Sequence, residues 1–245
     1  MSTVLALAKP HKIAYPLFMY NLYERAKYYR PTAVVFLGIA LLAALVACSA
    51  RPTAQYVLGD LLLEEDFDRA SAWEWYRDPS RSIDMRVQDG VYRAQAGAGT
   101  LMWALNAQMH TDVVIQVDTQ RVSGDVINAH GLMCRASPSG NGNGYYFLIS
   151  ADGAYTIRRG AGDQVTPLVP WQTSRALNRG QVINRLRVVC IGDYLALYVN
   201  GEFVAEARDN RYHTGVAGLA VAAPNSPIEV TFDRVIIWSA QFATR

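Results

Sequence analysis

Two hydrophobic rhythms divide the 245-residue chain. From Pro31 to Ala50 no residue is charged and most are apolar, in the run PTAVVFLGIALLAALVACSA. A membrane-spanning helix needs about 20 such residues, so the run predicts one span over 31–50. A short linker, 51–59, contains Pro52. Beyond it the apolar positions recur every second residue. Val113, Ile115 and Val117 alternate with Val114, Gln116 and Asp118. Tyr145, Phe147 and Ile149 alternate with Tyr146, Leu148 and Ser150, and Leu195, Leu197 and Val199 with Tyr194, Ala196 and Tyr198. Side chains of a strand point to opposite faces in turn, so this period predicts half-buried strands. Asn200-Gly201 falls between two such runs, and both residues of a two-residue hairpin turn adopt positive φ, which Asn and Gly tolerate best. Asp89-Gly90, Ser139-Gly140, Asn143-Gly144, Asp152-Gly153 and Gly192-Asp193 repeat the turn signal. No stretch of 60–240 sustains a helical period. Many short strands with regular turns predict an all-β sandwich or barrel over 60–240.

Charge orients the apolar run. Lys9, Lys12, Arg25, Lys27 and Arg30 precede it, opposed only by Glu24. Basic residues are retained in the cytoplasm, so residues 1–30 are expected inside a bacterial cell and the β-rich part on the periplasmic or extracellular side of the cytoplasmic membrane. Two readings of this end compete. Leu45-Val46-Ala47-Cys48 matches the lipobox, in which cleavage before Cys48 precedes its lipidation. The 30 residues ahead of the run are long for a signal peptide, which favours an uncleaved single-pass anchor. The segment AYPLFMYNLYERAKYYRP mixes five tyrosines and a phenylalanine with basic residues, suited to the headgroup layer or to a partner protein.

Several function classes drop out on composition. A net charge of +2, with no Lys/Arg block after residue 50, leaves no nucleic-acid footprint. The cysteines, Cys48, Cys134 and Cys190, show no CxxC spacing, and His11, His110, His130 and His213 are scattered, so no zinc site is suggested. No Ser/His/Asp constellation is visible.

The order of the pieces carries a resemblance. Asp66-Phe67-Asp68 precedes Ala72-Trp73-Glu74-Trp75; then come Asp89-Gly90-Val91-Tyr92-Arg93, Gly131-Leu132-Met133-Cys134-Arg135 and Gly144-Tyr145-Tyr146-Phe147. The last third has Arg187-Val188-Val189-Cys190-Ile191-Gly192, Leu197-Tyr198-Val199-Asn200-Gly201, Gly215-Val216-Ala217-Gly218-Leu219 and Phe232-Asp233-Arg234-Val235. This resembles the concanavalin A-like (laminin G or glucanase-like) jelly-roll domains of exported proteins in Chloroflexi-type bacteria. The resemblance implies two antiparallel sheets packed face to face. It implies a Cys134–Cys190 disulfide, the alternative being two buried free thiols. It also brings in structural calcium, with Asp66, Asp68 and Asp233 as conceivable ligands against the plainer reading of edge charges. Glucanases of this fold place their paired carboxylates on one strand as E-x-D-x-x-E or E-x-D-x-E. Here the strand from Val113 offers only Asp118, Glu202 and Glu206 lack an intervening Asp, and Glu64-Glu65-Asp66 precedes the strands. No enzyme is expected, and no cofactor beyond that calcium.

Two classes of function remain. One is an accessory or assembly subunit of a membrane complex, such as an electron-transfer complex, held by the span and by the sandwich surface. Its partners would be membrane proteins and lipid. The other is a surface-anchored carbohydrate-binding lipoprotein with Trp73, Trp75, Trp103, Trp171 and Tyr146 as candidate sugar platforms. Aromatics aligned on an open face would favour the second.

Overall fold

In the computed structural model the described residues are 51–69 and 71–244. The expected span at 31–50 and Cys48 lie outside them. Among the described residues no helix is long and apolar enough to cross a membrane.

The described residues form fifteen strands in chain order: β1 (Tyr56–Glu65), β2 (Tyr76–Asp78), β3 (Ile83–Gln88), β4 (Val91–Ala96), β5 (Thr100–His110), β6 (Val113–Gly124), β7 (Ala129–Ala136), β8 (Gly144–Ser150), β9 (Ala154–Ala161), β10 (Gln164–Thr173), β11 (Asn184–Ile191), β12 (Tyr194–Val199), β13 (Glu202–Arg208), β14 (Gly215–Ala223) and β15 (Ile228–Phe242). They make two sheets. The nine-stranded sheet runs β13-β12-β11-β6-β15-β4-β3-β2, with β1 added alongside β15. The six-stranded sheet runs β10-β9-β8-β7-β14-β5. Each sheet collects strands from distant parts of the chain, as a jelly roll requires. The all-β sandwich expected from the alternation is the fold observed.

The inner phases of the alternation are those expected from sequence. Val113, Ile115 and Val117 of β6, Phe147 and Ile149 of β8, and Leu195, Leu197 and Val199 of β12 meet in one core between the sheets. Asn200 (φ 52°) and Gly201 (φ 86°) turn β12 into β13, both in the left-handed region that the hairpin demands. The side chain of Asn200 locks that turn. Its Oδ1 accepts from the Arg185 amide at 2.9 Å, and its Nδ2 donates to the Ala176 carbonyl at 2.7 Å.

The six-stranded sheet departs from the half-buried pattern: every residue of β7, β8 and β14 is buried. Its outer face carries a second apolar cluster, including Trp103, Met133, Tyr146, Leu148 and Ala220. Cys134 of β7 and Cys190 of β11 form the disulfide that the resemblance implied, joining the two sheets covalently across a sequence separation of 56. Next to it, the buried Arg135 donates to the carbonyls of Thr111, Gly192 and Tyr212 and to Asp112 Oδ1 at 3.0 Å. One guanidinium thereby ties three loops at this end of the sandwich.

Candidate functional site

The outer face of the nine-stranded sheet turns from apolar to polar across its width. Val114, Val189, Ala196 and Trp238 make an apolar strip, on which Ala54 and Tyr56 pack. The next rows follow from the strand register. Tyr198 of β12 lies opposite Arg187 of β11, which lies opposite Gln116 of β6. One step along the strands, Arg185 lies opposite Asp118. Cross-strand partners share a face, so all five side chains stand on the outer side. With Tyr56 and the Asn200-Gly201 turn they line an open groove of about 630 Å³.

Hydrogen bonds orient its polar side chains. Arg185 grips Asp118 with both forks, Nε to Oδ1 at 2.7 Å and Nη2 to Oδ2 at 2.8 Å. Arg185 is exposed, so the pair contributes little stability but fixes both groups in place. Arg187 gives Nε and Nη2 to a single neutral acceptor, Gln116 Oε1, at 3.2 and 2.8 Å. The Tyr198 ring packs T-shaped with Tyr56, centroids 6.2 Å apart, and with Phe203, 5.5 Å apart. Burial, with Tyr56 and Glu206 nearby, pushes the Tyr198 phenol up to about 12 against the opposing pull of Arg187. It is therefore a hydroxyl donor throughout the physiological range. Two aromatic rings, two guanidinium groups, one carboxylate and one amide can bind; among them is no nucleophile seated against a base.

The aromatic residues singled out from sequence go elsewhere. Trp103, Tyr146 and Trp171 gather on the outer face of the six-stranded sheet. Trp103 is 4% exposed and Tyr146 fully buried, its hydroxyl donating to the Gly142 carbonyl at 2.7 Å, and Trp171 is half-buried. Arg158 stands opposite Tyr146 on the same face, where burial lowers its guanidinium to about 10. Trp73 is not a platform: it packs in the inner core against Phe67 and Tyr92. Trp75 is 57% exposed and joins neither apolar cluster. The five thus do not make one open platform.

Asp66 accepts from the Asp68 amide at 3.2 Å, and Asp233 from the Arg234 amide at 2.7 Å. Burial raises the Asp233 carboxyl, opposed by that amide and reinforced by Asp118 and Asp68. Among the described residues no three His, Cys, Asp or Glu side chains stand close enough to hold a metal, so Asp66, Asp68 and Asp233 are not gathered into such a group.

The groove residues escaped the sequence reading because Tyr56, Gln116, Arg187 and Tyr198 come from four strands. The available signal was phase in three of them: Gln116, Arg187 and Tyr198 each stand at an outward position between inward aliphatic residues.

No protein-family model matches this sequence, and none of the curated proteins does. Solved structures do match. Carbohydrate binding module CBM66 from Bacillus subtilis aligns at TM-score 0.56 and 16% identity, over 70% of this chain and 96% of that one. A galectin-like protein of unknown function from Bacillus subtilis aligns at 0.58 and 12%, over 76% and 99%. A β-glucanase from Bacillus licheniformis aligns at 0.53 and 9%, also over 76% and 99%. At such identities the likeness establishes the fold, a concanavalin A-like and galectin-like jelly roll. A fold shared by binding modules and hydrolases does not choose between them, and the choice rests on the site.

Proposed function

We propose that this chain is a non-catalytic glycan-binding module, held by residues 31–50 at the outer side of a bacterial cytoplasmic membrane. The observation that carries the reading is the open groove beside Tyr56 and Tyr198. Sugar recognition combines an aromatic ring, whose electron-rich face attracts the C–H edge of a pyranose, with planar side chains that fix the hydroxyls. The groove supplies both. Glycoside hydrolysis needs two carboxyl groups flanking one sugar. The groove lining holds one, Asp118, and Arg185 occupies both its oxygens. That one solved structure of this fold is a carbohydrate binding module is consistent with the reading.

The test is a glycan array probed with the detergent-purified full chain, repeated with Tyr198→Ala. Hits lost in the variant support the groove. An array without hits, or hits that Tyr198→Ala leaves intact, sinks the proposal.

A second reading, docking to a membrane-protein partner, draws on a different surface. Among the described residues strand β1 pairs only with β15, and it exposes Val57, Leu58 and Leu61 a few residues after the expected span, with Phe242 beside its start. An apolar sheet edge is an open template for association. Mild-detergent purification decides this reading: recovery of the chain alone, at monomer mass, rejects it.

A further inference from the structure

We infer that the groove is built for acidic sugars, with the free edge of the Arg187 guanidinium taking the carboxylate of a hexuronate residue. The inference rests on the glycan reading and narrows its ligand class. A guanidinium carries five N–H donors. Arg187 uses Nε and one Nη2 hydrogen on Gln116 Oε1, and among the described residues nothing engages the edge formed by Nη1 and the second Nη2 hydrogen. That edge is a two-pronged fork whose spacing matches the two oxygens of a carboxylate.

Charge points the same way. The groove lining holds two guanidinium groups against the single carboxylate of Asp118. Asp118 is engaged side-on by Arg185. No acidic side chain pairs with Arg187 among the described residues, and its partner Gln116 is neutral. A half-buried cation with no ion-pair partner among the described residues favours an anionic ligand, because a charge held partly out of water gains more from an opposite charge than it does in bulk solvent.

The remaining polar atoms are donors as well. The Gln116 side-chain NH2 donates to no protein group among the described residues, and the hydroxyls of Tyr56 and Tyr198 engage none either. Asn200 cannot turn toward a ligand, because its amide holds the hairpin. A lining rich in donors and poor in acceptors fits an acceptor-rich anion. Tyr56 and Tyr198 supply the rings against which the pyranose lies.

The experiment is isothermal titration calorimetry of the detergent-purified full chain. The ligands are a galacturonate trimer, its methyl ester, and a neutral glucose trimer. The acid is expected to bind about 10- to 100-fold more tightly than the ester, the range for one charge-assisted hydrogen-bond pair. Arg187→Gln should abolish that preference, so that acid and ester bind the variant with equal affinity. Arg187→Lys should keep part of it, since the charge stays and the fork goes. Both substitutions lie on the sheet's outer face, and a thermal melt checks that the fold is intact. Equal affinity for acid, ester and neutral trimer overturns the inference and leaves the glycan reading standing. An acid preference that survives Arg187→Gln overturns the role of Arg187. Binding of none of the three overturns the inference, and the array result then decides the broader reading.

Discussion

The Cys134–Cys190 bridge permits a prediction worked from its position. The two cysteines are 56 residues apart and sit in opposite sheets, both without solvent exposure. Closing a loop of that length removes roughly 14 cal/mol/K of entropy from the unfolded chain, about 4 kcal/mol at 25 °C. A domain of about 190 residues unfolds with an entropy near 0.4 kcal/mol/K, so losing the bridge should lower the Tm by about 10 °C. Differential scanning calorimetry of the oxidised protein, and of protein unfolded, reduced with a phosphine and refolded in its presence, measures this on one sequence, so core packing is held constant. A Cys134→Ala/Cys190→Ala variant should melt lower still, because it also empties the sulfur volume from a close-packed core. In native protein the buried sulfurs should resist reduction until the sandwich opens. The reasoning fails if oxidised and reduced forms melt within about 2 °C of each other, since the loop entropy would then not be what the bridge supplies.

Two further outcomes follow from buried polar groups. His130 lies in the core beside Phe232, and burial, aided by the positive charge of Arg121, lowers its imidazole to about 3. In the unfolded chain it protonates near pH 6.5 and in the folded protein near 3, so stability is complete above 6.5 and falls as pH drops below it; the loss at pH 5 is about 2 kcal/mol, by urea melts, and His130→Leu should flatten that slope. Arg135→Met strands three backbone carbonyls and Asp112 at one end of the sandwich, and should cost about 3–5 kcal/mol in the same assay. A loss below about 1 kcal/mol would mean that water replaces the guanidinium at no cost.

Sequence alone determined the class of structure. The alternation at Val113–Val117, Tyr145–Ile149 and Leu195–Val199 assigns strands and their inward phase, because successive side chains of a strand point to opposite faces whatever the strand's neighbours are. The Asn200-Gly201 hairpin was equally legible, since positive φ at both positions is a local demand. The disulfide came through the resemblance in the order of the pieces. Spacing by itself could not pair Cys134 with Cys190. The aromatic candidates show the limit of such reading. Nothing local separates Trp73 in the inner core from Trp75 in solvent two residues later, or marks Tyr146 as buried on the outer face of its sheet.

Only the tertiary structure decided the groove. Tyr56, Gln116, Arg187 and Tyr198 become neighbours through the strand order β12-β11-β6 and its register, with β1 arriving from the other end of the domain. Period-two patterning says which side of a strand a residue occupies. It does not say which strand lies alongside, and a slip of one residue would send Arg187 to the core. The charge left over on Arg187 is likewise a property of the assembled sheet, because it depends on Gln116, and not an acid, standing opposite.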